Sequence, residues 1–149
     1  MFSLICCYTN KLSKNQKLEI LKLKNSHWRY SLREQLLHFT KNFKKNDLNN
    51  LLYYKKKLIG FTALKKKKKK VIKYLLFDTL IIHKHFRKND LSSVLMLFNN
   101  SIIKKTNMRS FLICQKKMCK FYKKFGWKIY NKNNILFPKK KNQLVMFYN

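Results

Sequence analysis

The stretch Tyr74-Leu75-Leu76-Phe77-Asp78-Thr79-Leu80-Ile81-Ile82-His83-Lys84-His85-Phe86-Arg87-Lys88-Asn89-Asp90-Leu91-Ser92 carries the most information about the fold. From Tyr74 to Ile82 it is almost wholly apolar, as expected of a strand buried on both faces. A basic loop follows, and then Leu91, Val94, Leu95, Phe98 and Ile102 recur at steps of three and four, one stripe of a helix. Phe111-Leu112-Ile113-Cys114 reads as the next, short strand. A strand, a helix and a second strand in that order predict a right-handed crossover between residues 74 and 114 that joins parallel neighbours.

On the N-terminal side, residues 2–9 suit an edge strand. Leu18, Leu21, Trp28, Leu32, Leu36, Phe39 and Phe43 then set a helical period, interrupted near residues 25–30. Ser31-Leu32-Arg33-Glu34 is a capping box, in which Glu34 reaches back to the Ser31 backbone. Helices are therefore expected over about 13–25 and 32–45. Leu51–Tyr54 and Leu58–Leu64 flank Lys55-Lys56-Lys57 as a hairpin, and the Lys65–Lys70 run reads as a solvated hairpin loop or a phosphate clamp. On the C-terminal side, Met118, Phe121, Tyr122 and Phe125 make a further helical stripe, with Gly126 placed to end it. Lys128–Tyr130 with Ile135–Phe137, and Leu144–Tyr148, close the sheet. The order β-α-α-β-β-β-α-β-α-β-β predicts an α/β protein with a mixed sheet of six to seven strands and about four helices. Residues 1–149 are expected to form one domain.

Composition narrows the functional classes. The 149 residues include 36 Lys and Arg against 5 Asp and Glu, a formal charge of +31, yet 46% are apolar and 15% aromatic. Disordered chains are poor in those residues. Only Arg29, Arg33, Arg87 and Arg109 are arginines, whereas sites built for nucleic acid favour the bidentate guanidinium. The excess of Lys, Asn, Ile, Phe and Tyr over Gly, Ala, Pro and Arg follows A/T-rich codons. Non-specific polyanion binding remains an expectation of such a surface. No apolar run reaches the roughly 18–20 residues of a bilayer span, so no membrane insertion is expected. Residues 1–8 lack the basic n-region and cleavage site of a signal peptide. Four cysteines, two of them adjacent, make no disulfide framework, and a cytoplasmic location is the expectation.

Four segments, in their order and spacing, resemble the GNAT superfamily of acetyl-CoA-dependent N-acetyltransferases over roughly residues 10–148. They are the Ile59-Gly60-Phe61 strand, the Leu80-Ile81-Ile82 strand with His83–Arg87, the helix from Leu91, and Phe121-Tyr122-Lys123-Lys124-Phe125-Gly126-Trp127. The last is similar to the family's F/L-Y-x-x-x-G-F signature. The resemblance implies the GNAT fold, acetyl-CoA as co-substrate without a metal, and transfer of the acetyl group to a primary amine on a small molecule, an amino sugar or a protein. It places the pantetheine arm along the backbone of Leu80, Ile81 and Ile82, and the thioester where that strand splays from Phe111–Cys114. The amine attacks directly, a backbone N–H stabilises the oxyanion, and an acid protonates the departing thiolate. Tyr122 stands at the family's general-acid position; its other reading is a core aromatic. Gln115 takes the place of a frequent Asn. The pyrophosphate loop R/Q-x-x-G-x-G/A reads here Arg87-Lys88-Asn89-Asp90-Leu91-Ser92, at a helix N-terminus where backbone N–H groups meet the anion. Asp90 replaces the first glycine. Its carboxylate could repel phosphate or cap the helix, competing for the same donors, so impaired cofactor binding is an open outcome.

Other readings stand beside these. Asp78 is the one acid in the apolar strand; an unpaired carboxylate there would be raised in pKa and suit a general base, and a paired one would be structural. The resemblance makes segment 13–45 a wall of the acceptor site, with Trp28 and Phe39 as lining or as core. His83, His85, Cys114 and Cys119 match no common zinc spacing. The alternative functions are a basic nucleic-acid- or ribosome-associated module, supported by runs such as Lys120-Phe121-Tyr122-Lys123-Lys124, and a folded but inactive relative. Oligomeric state is left open by the sequence.

Overall fold

The computed structural model describes residues 1–131, 137 and 139–149. Strand β1 (Phe2–Tyr8) is followed by helices α1 (Lys14–Asn25) and α2 (Leu32–Asn42). Strands β2 (Leu48–Tyr54), β3 (Lys57–Lys69) and β4 (Ile72–Ile82) come next, then α3 (Leu91–Thr106), β5 (Ser110–Gln115), α4 (Cys119–Lys123), β6 (Lys128–Ile129) and β7 (Gln143–Tyr148). The seven strands form one mixed sheet in the order β1-β2-β3-β4-β5-β7-β6. Of the expected closing strand at Ile135–Phe137, Ile135 and Leu136 lie outside the described residues. Phe137 sits in a bend, buried against Tyr74 and Phe111.

Local chemistry accounts for the element ends. Both Ser13 and Ser31 close full capping boxes, with Gln16 and Glu34 respectively, so each helix start has two backbone donors satisfied. Helix α2 stops at Asn42, short of the expected 45, because Asp47 turns the chain by accepting from the Lys44 N–H (2.8 Å). Gly126 takes φ +82° in the turn that follows the Lys124 C-cap of α4, where its N–H bonds the Lys123 carbonyl (3.0 Å).

The Lys65–Lys70 run differs from expectation. Lys65–Lys69 form the end of β3, paired in register with Leu76 down to Ile72 of β4. The apolar half of β4 needs a strand partner for its backbone groups, and that requirement outweighs the weak strand propensity of lysine. The Lys66 N–H donates to the Asp47 carboxylate (2.8 Å), which pins the run from the other side.

Alternation along the strands separates two faces. Leu51, Phe61, Ala63 and Ile81 face α1 and α2, meeting Ile20, Leu21, Leu23, Phe39 and Phe43. Their sequence neighbours Leu52 and Leu64, with Leu75 of β4, face α3, where Leu95, Met96 and Ile103 are fully buried. Trp127, 1% exposed, stacks on Tyr148 and donates its indole N–H to Asn100 Oδ1 (3.1 Å), which locks the β6–β7 end to α3.

The feature that creates a site is the divergence of β4 and β5. Their parallel pairing consists of Leu75 with Ser110 and Leu76 with Phe111. Beyond it β4 runs on to Ile82 beside β3, while β5 continues beside β7. Strand β4 is therefore not buried on both faces throughout: Asp78, Thr79 and Leu80 are half-buried where the cover of β5 is withdrawn.

Candidate active site

At the point of divergence β4 carries a bulge. Asp78 pairs with Ala63 and Leu80 with Thr62, which leaves Thr79 as the extra residue. Thr79 has φ 67°, a conformation that a β-branched residue rarely adopts. Backbone strain of this kind concentrates at functional sites. Here it turns the chain so that two clefts meet along one strand: Asp78 and Thr79 line one, Leu80 and Ile82 the other.

The second cleft, about 320 Å³, is lined by Leu80, Ile82, Phe86, the loop residues Arg87, Lys88, Asp90, Leu91 and Ser92, and by Met118 and Phe121. Asp90 sits at φ 53°, ψ 18°, the left-handed conformation that glycine takes most readily, and Lys88 at φ 74° is similar. The loop thus has a glycine-type path without glycine. Asp90 does not cap α3 with its side chain; its carboxylate accepts the Ser93 hydroxyl. The Ser93 and Val94 N–H groups bond the Asp90 carbonyl, and those of Leu91 and Ser92 have no acceptor among the described residues. Two donors at a helix N-terminus are therefore available to an anion. Arg87 does not reach over them: its Nε donates to the Ile82 carbonyl (3.1 Å), and its Nη2 lies 3.1 Å from His27 Nδ1. It fastens the loop to β4 and to the α1–α2 connection. Asn89 is exposed in the same loop, and Gln115 is exposed at the end of β5, beside Gln143.

The first cleft, about 610 Å³, is lined by Lys24, Trp28, Tyr30, Glu34, Gln35 and His38 from the helical segment, and by Lys65, Asp78 and Thr79 from the sheet. Trp28 is a wall residue, 39% exposed, whereas Phe39 belongs to the core, stacked on Phe43. Asp78 is not the isolated buried carboxylate that the apolar strand suggested. Its side chain is 37% exposed, with Oδ2 2.6 Å from Lys65 Nζ. Lys65 and Lys24 are the buried charges, at 6% and 4% exposure, and their ammonium groups lie 4.4 and 5.3 Å from the Phe43 ring centroid. Burial lowers the pKa of Lys24, with the Asp78 charge opposing and that of Lys65 adding to the effect. Burial also lowers His38, helped by Lys24 and Lys65, so its imidazole is neutral near pH 7.

Tyr122 packs inward against Phe77 and Trp127. Burial, with a smaller contribution from Cys114, pushes its phenol up to about 12, so the proton stays on the hydroxyl at neutral pH. His83 stacks on His85 at the β4 end, apart from the buried Cys114 and Cys119, and no cluster of three metal-binding side chains occurs among the described residues. Sequence reasoning missed Thr79, Lys24, Lys65 and His38.

Neither a protein-family model nor a curated protein sequence matches the chain. Solved structures do. An acyl-CoA N-acyltransferase from Pseudomonas aeruginosa superposes with TM-score 0.79 at 10% identity, and Escherichia coli ElaA with 0.78 at 13%, each covering 100% of both chains. Arabidopsis thaliana Naa50, in complex with a bisubstrate analogue of CoA and a peptide, gives 0.65 at 20% identity over 99% of both chains. At these identities the likeness is one of architecture: the chain has the GNAT acyl-CoA N-acyltransferase fold.

Proposed function

We propose that the protein transfers an acetyl group from acetyl-CoA to a primary amine. The observation that carries this reading is the meeting of two clefts of different chemistry at the Thr79 bulge of a strand whose partner has diverged. The Leu80–Phe121 cleft would hold the thioester arm beside the open edge of β4, with the Leu91 and Ser92 N–H groups on the phosphates. The fit has one defect, the Asp90 carboxylate, which Ser93 partly occupies. When bound, acetyl-CoA supplies the activated acyl carbon. The Lys24–Asp78 cleft would deliver the amine from the opposite side.

In the balanced step a C–N bond forms, the C–S bond breaks, the amine gives up a proton and the thiolate takes one. Asp78 and the neutral His38 are the proton acceptors lining the amine cleft. Tyr122, protonated across the physiological range, is the candidate donor to the thiolate. The backbone at Thr79 is turned out of the β3 ladder and is the candidate for stabilising the oxyanion. The experiment is calorimetric titration with acetyl-CoA at about 0.3 M salt, where loose polyanion binding is suppressed. Saturable one-to-one binding, followed by amine-dependent thiol release, is expected. Absence of both in the natural protein and in Asp90→Gly would overturn the reading.

A further inference from the structure

The amine cleft contains more buried positive charge than it can neutralise. Lys24 is 4% exposed, lines the cleft and has no hydrogen-bond acceptor for its ammonium among the described residues. Lys65, 6% exposed, is paired with Asp78. The exposed Glu34 carboxylate accepts the Ser31 N–H (2.8 Å) while the Ser31 hydroxyl accepts the Glu34 backbone N–H, and Gln35 donates its amide to the Trp28 carbonyl (3.2 Å). Asp78 is thus the carboxylate beside two buried ammonium groups near the Phe43 ring, and with Asp78 paired to Lys65, Lys24 is left over. A buried charge without a counter-charge is costly and persists where something supplies one. The cleft volume, about 610 Å³, is in the range of small-molecule sites.

We propose, resting on the acetyltransferase reading, that the acceptor is a small primary amine bearing one carboxylate, which Lys24 binds while the amine lies toward Thr79. Polyamines and other polycationic acceptors are disfavoured by the uncompensated charge of Lys24. The aromatic wall of Trp28 and Tyr30 covers the body of the molecule between its two ends.

The test compares linear ω-amino acids of increasing length with their methyl amides and with spermidine, on the natural protein and on Lys24→Met, which keeps the stem and removes the charge. Transfer is read as kcat/KM. Binding is read separately, as the thermal shift given by the N-acetylated amino acid against its N-acetylated amide. The natural protein should favour at least one carboxylate over its amide by about 10- to 100-fold, the range for a hydrogen bond to a charged group. In Lys24→Met that ratio should fall toward about one, in transfer and in thermal shift. A carboxylate preference that survives in Lys24→Met, or a natural protein that prefers the amide or spermidine, overturns the proposal. A Lys24-dependent shift with the acetylated carboxylate, in a protein that binds no acetyl-CoA, would keep the anion subsite and sink the transferase reading. Acetyl-CoA binding with no carboxylate effect would do the reverse. Should Lys24→Met fail to fold, Lys24→Gln serves; removal of an unpaired buried charge is expected to raise the unfolding temperature.

Discussion

Replacing Asp90 with glycine separates what the phosphate-side loop needs for folding from what it needs for binding. Asp90 holds φ 53°, so glycine relieves a left-handed conformation worth about 1 kcal/mol for an L-residue. Glycine also brings about 0.5–1 kcal/mol of extra unfolded-state entropy. The lost Ser93 hydrogen bond costs roughly 0.5–1.5 kcal/mol more. These terms sum to a net loss of about 0–1.5 kcal/mol, so the unfolding midpoint should fall slightly. Affinity should move. A carboxylate about 5 Å from one phosphate charge is repelled by about 0.8 kcal/mol at the dielectric of water and about 3 kcal/mol at an effective value near 20. At about 0.3 M salt the lower half of that range applies, so Asp90→Gly should bind CoA about 5- to 30-fold more tightly. Titration calorimetry on the two proteins, with urea unfolding beside it, is the assay. Unchanged or weaker CoA binding in a folded variant would show that the Asp90 carboxylate does not face the phosphates, and would refute the assignment of the Leu91 and Ser92 N–H groups.

Gly60→Ala places a methyl group 3.0 Å from Ile82 Cδ1 and 3.1 Å from Leu52 Cβ; overpacking of this kind should cost about 1–3 kcal/mol in urea unfolding. Trp127→Phe leaves Asn100 Oδ1 without its indole donor in a site that is 1% exposed at the ring; about 1–3 kcal/mol of destabilisation is expected, with Asn100 Nδ2 still bonded to the Phe125 carbonyl. The raised phenol of Tyr122, about 12 against 10.0 unfolded, means that the folded state keeps a proton the unfolded chain has released. Stability should therefore decline as pH rises from about 10 toward about 12. Tyr53, also about 12, contributes in the same sense. Tyr122→Phe should make the decline shallower, measured as urea midpoints at pH about 9 and about 11.

The element order was legible because it rests on patterns that survive in a single sequence: the Leu91–Ile102 stripe, the apolar run from Tyr74, the Ser31 capping box and Gly126. The site was less so. Lys65 and Lys24 are two of many lysines, and nothing local distinguishes a lysine that will be buried on Asp78 and Phe43 from one that will be solvated. Thr79 gave no sign of its positive φ, because a bulge is imposed by the register between Thr62, Ala63 and their partners rather than by the residue itself. The residue type of Asp90 allowed both a helix cap and a carboxylate turned toward the phosphates; the structure gives it the backbone of the glycine it replaces, and its carboxylate accepts from Ser93. In each case long-range geometry overrides a local preference.

The five acids each have a structural partner beside the large positive charge. Glu19 accepts from the Tyr53 hydroxyl, Glu34 closes a capping box, and Asp47 holds the Lys44 and Lys66 N–H groups. Asp78 pairs with Lys65 and Asp90 accepts from Ser93. All five acids of the chain therefore have a bonding task in the fold. Selection for a polyanion partner would strip acids from one face and leave them elsewhere. Here the acids that remain are those with a donor to hold, a pattern that fits the A/T-rich codon bias of the composition. The number of lysines then says little about function, and their burial says more. Of the two cations most withdrawn from water in the amine cleft, Lys65 has used the one carboxylate within reach, and Lys24 has a place for another.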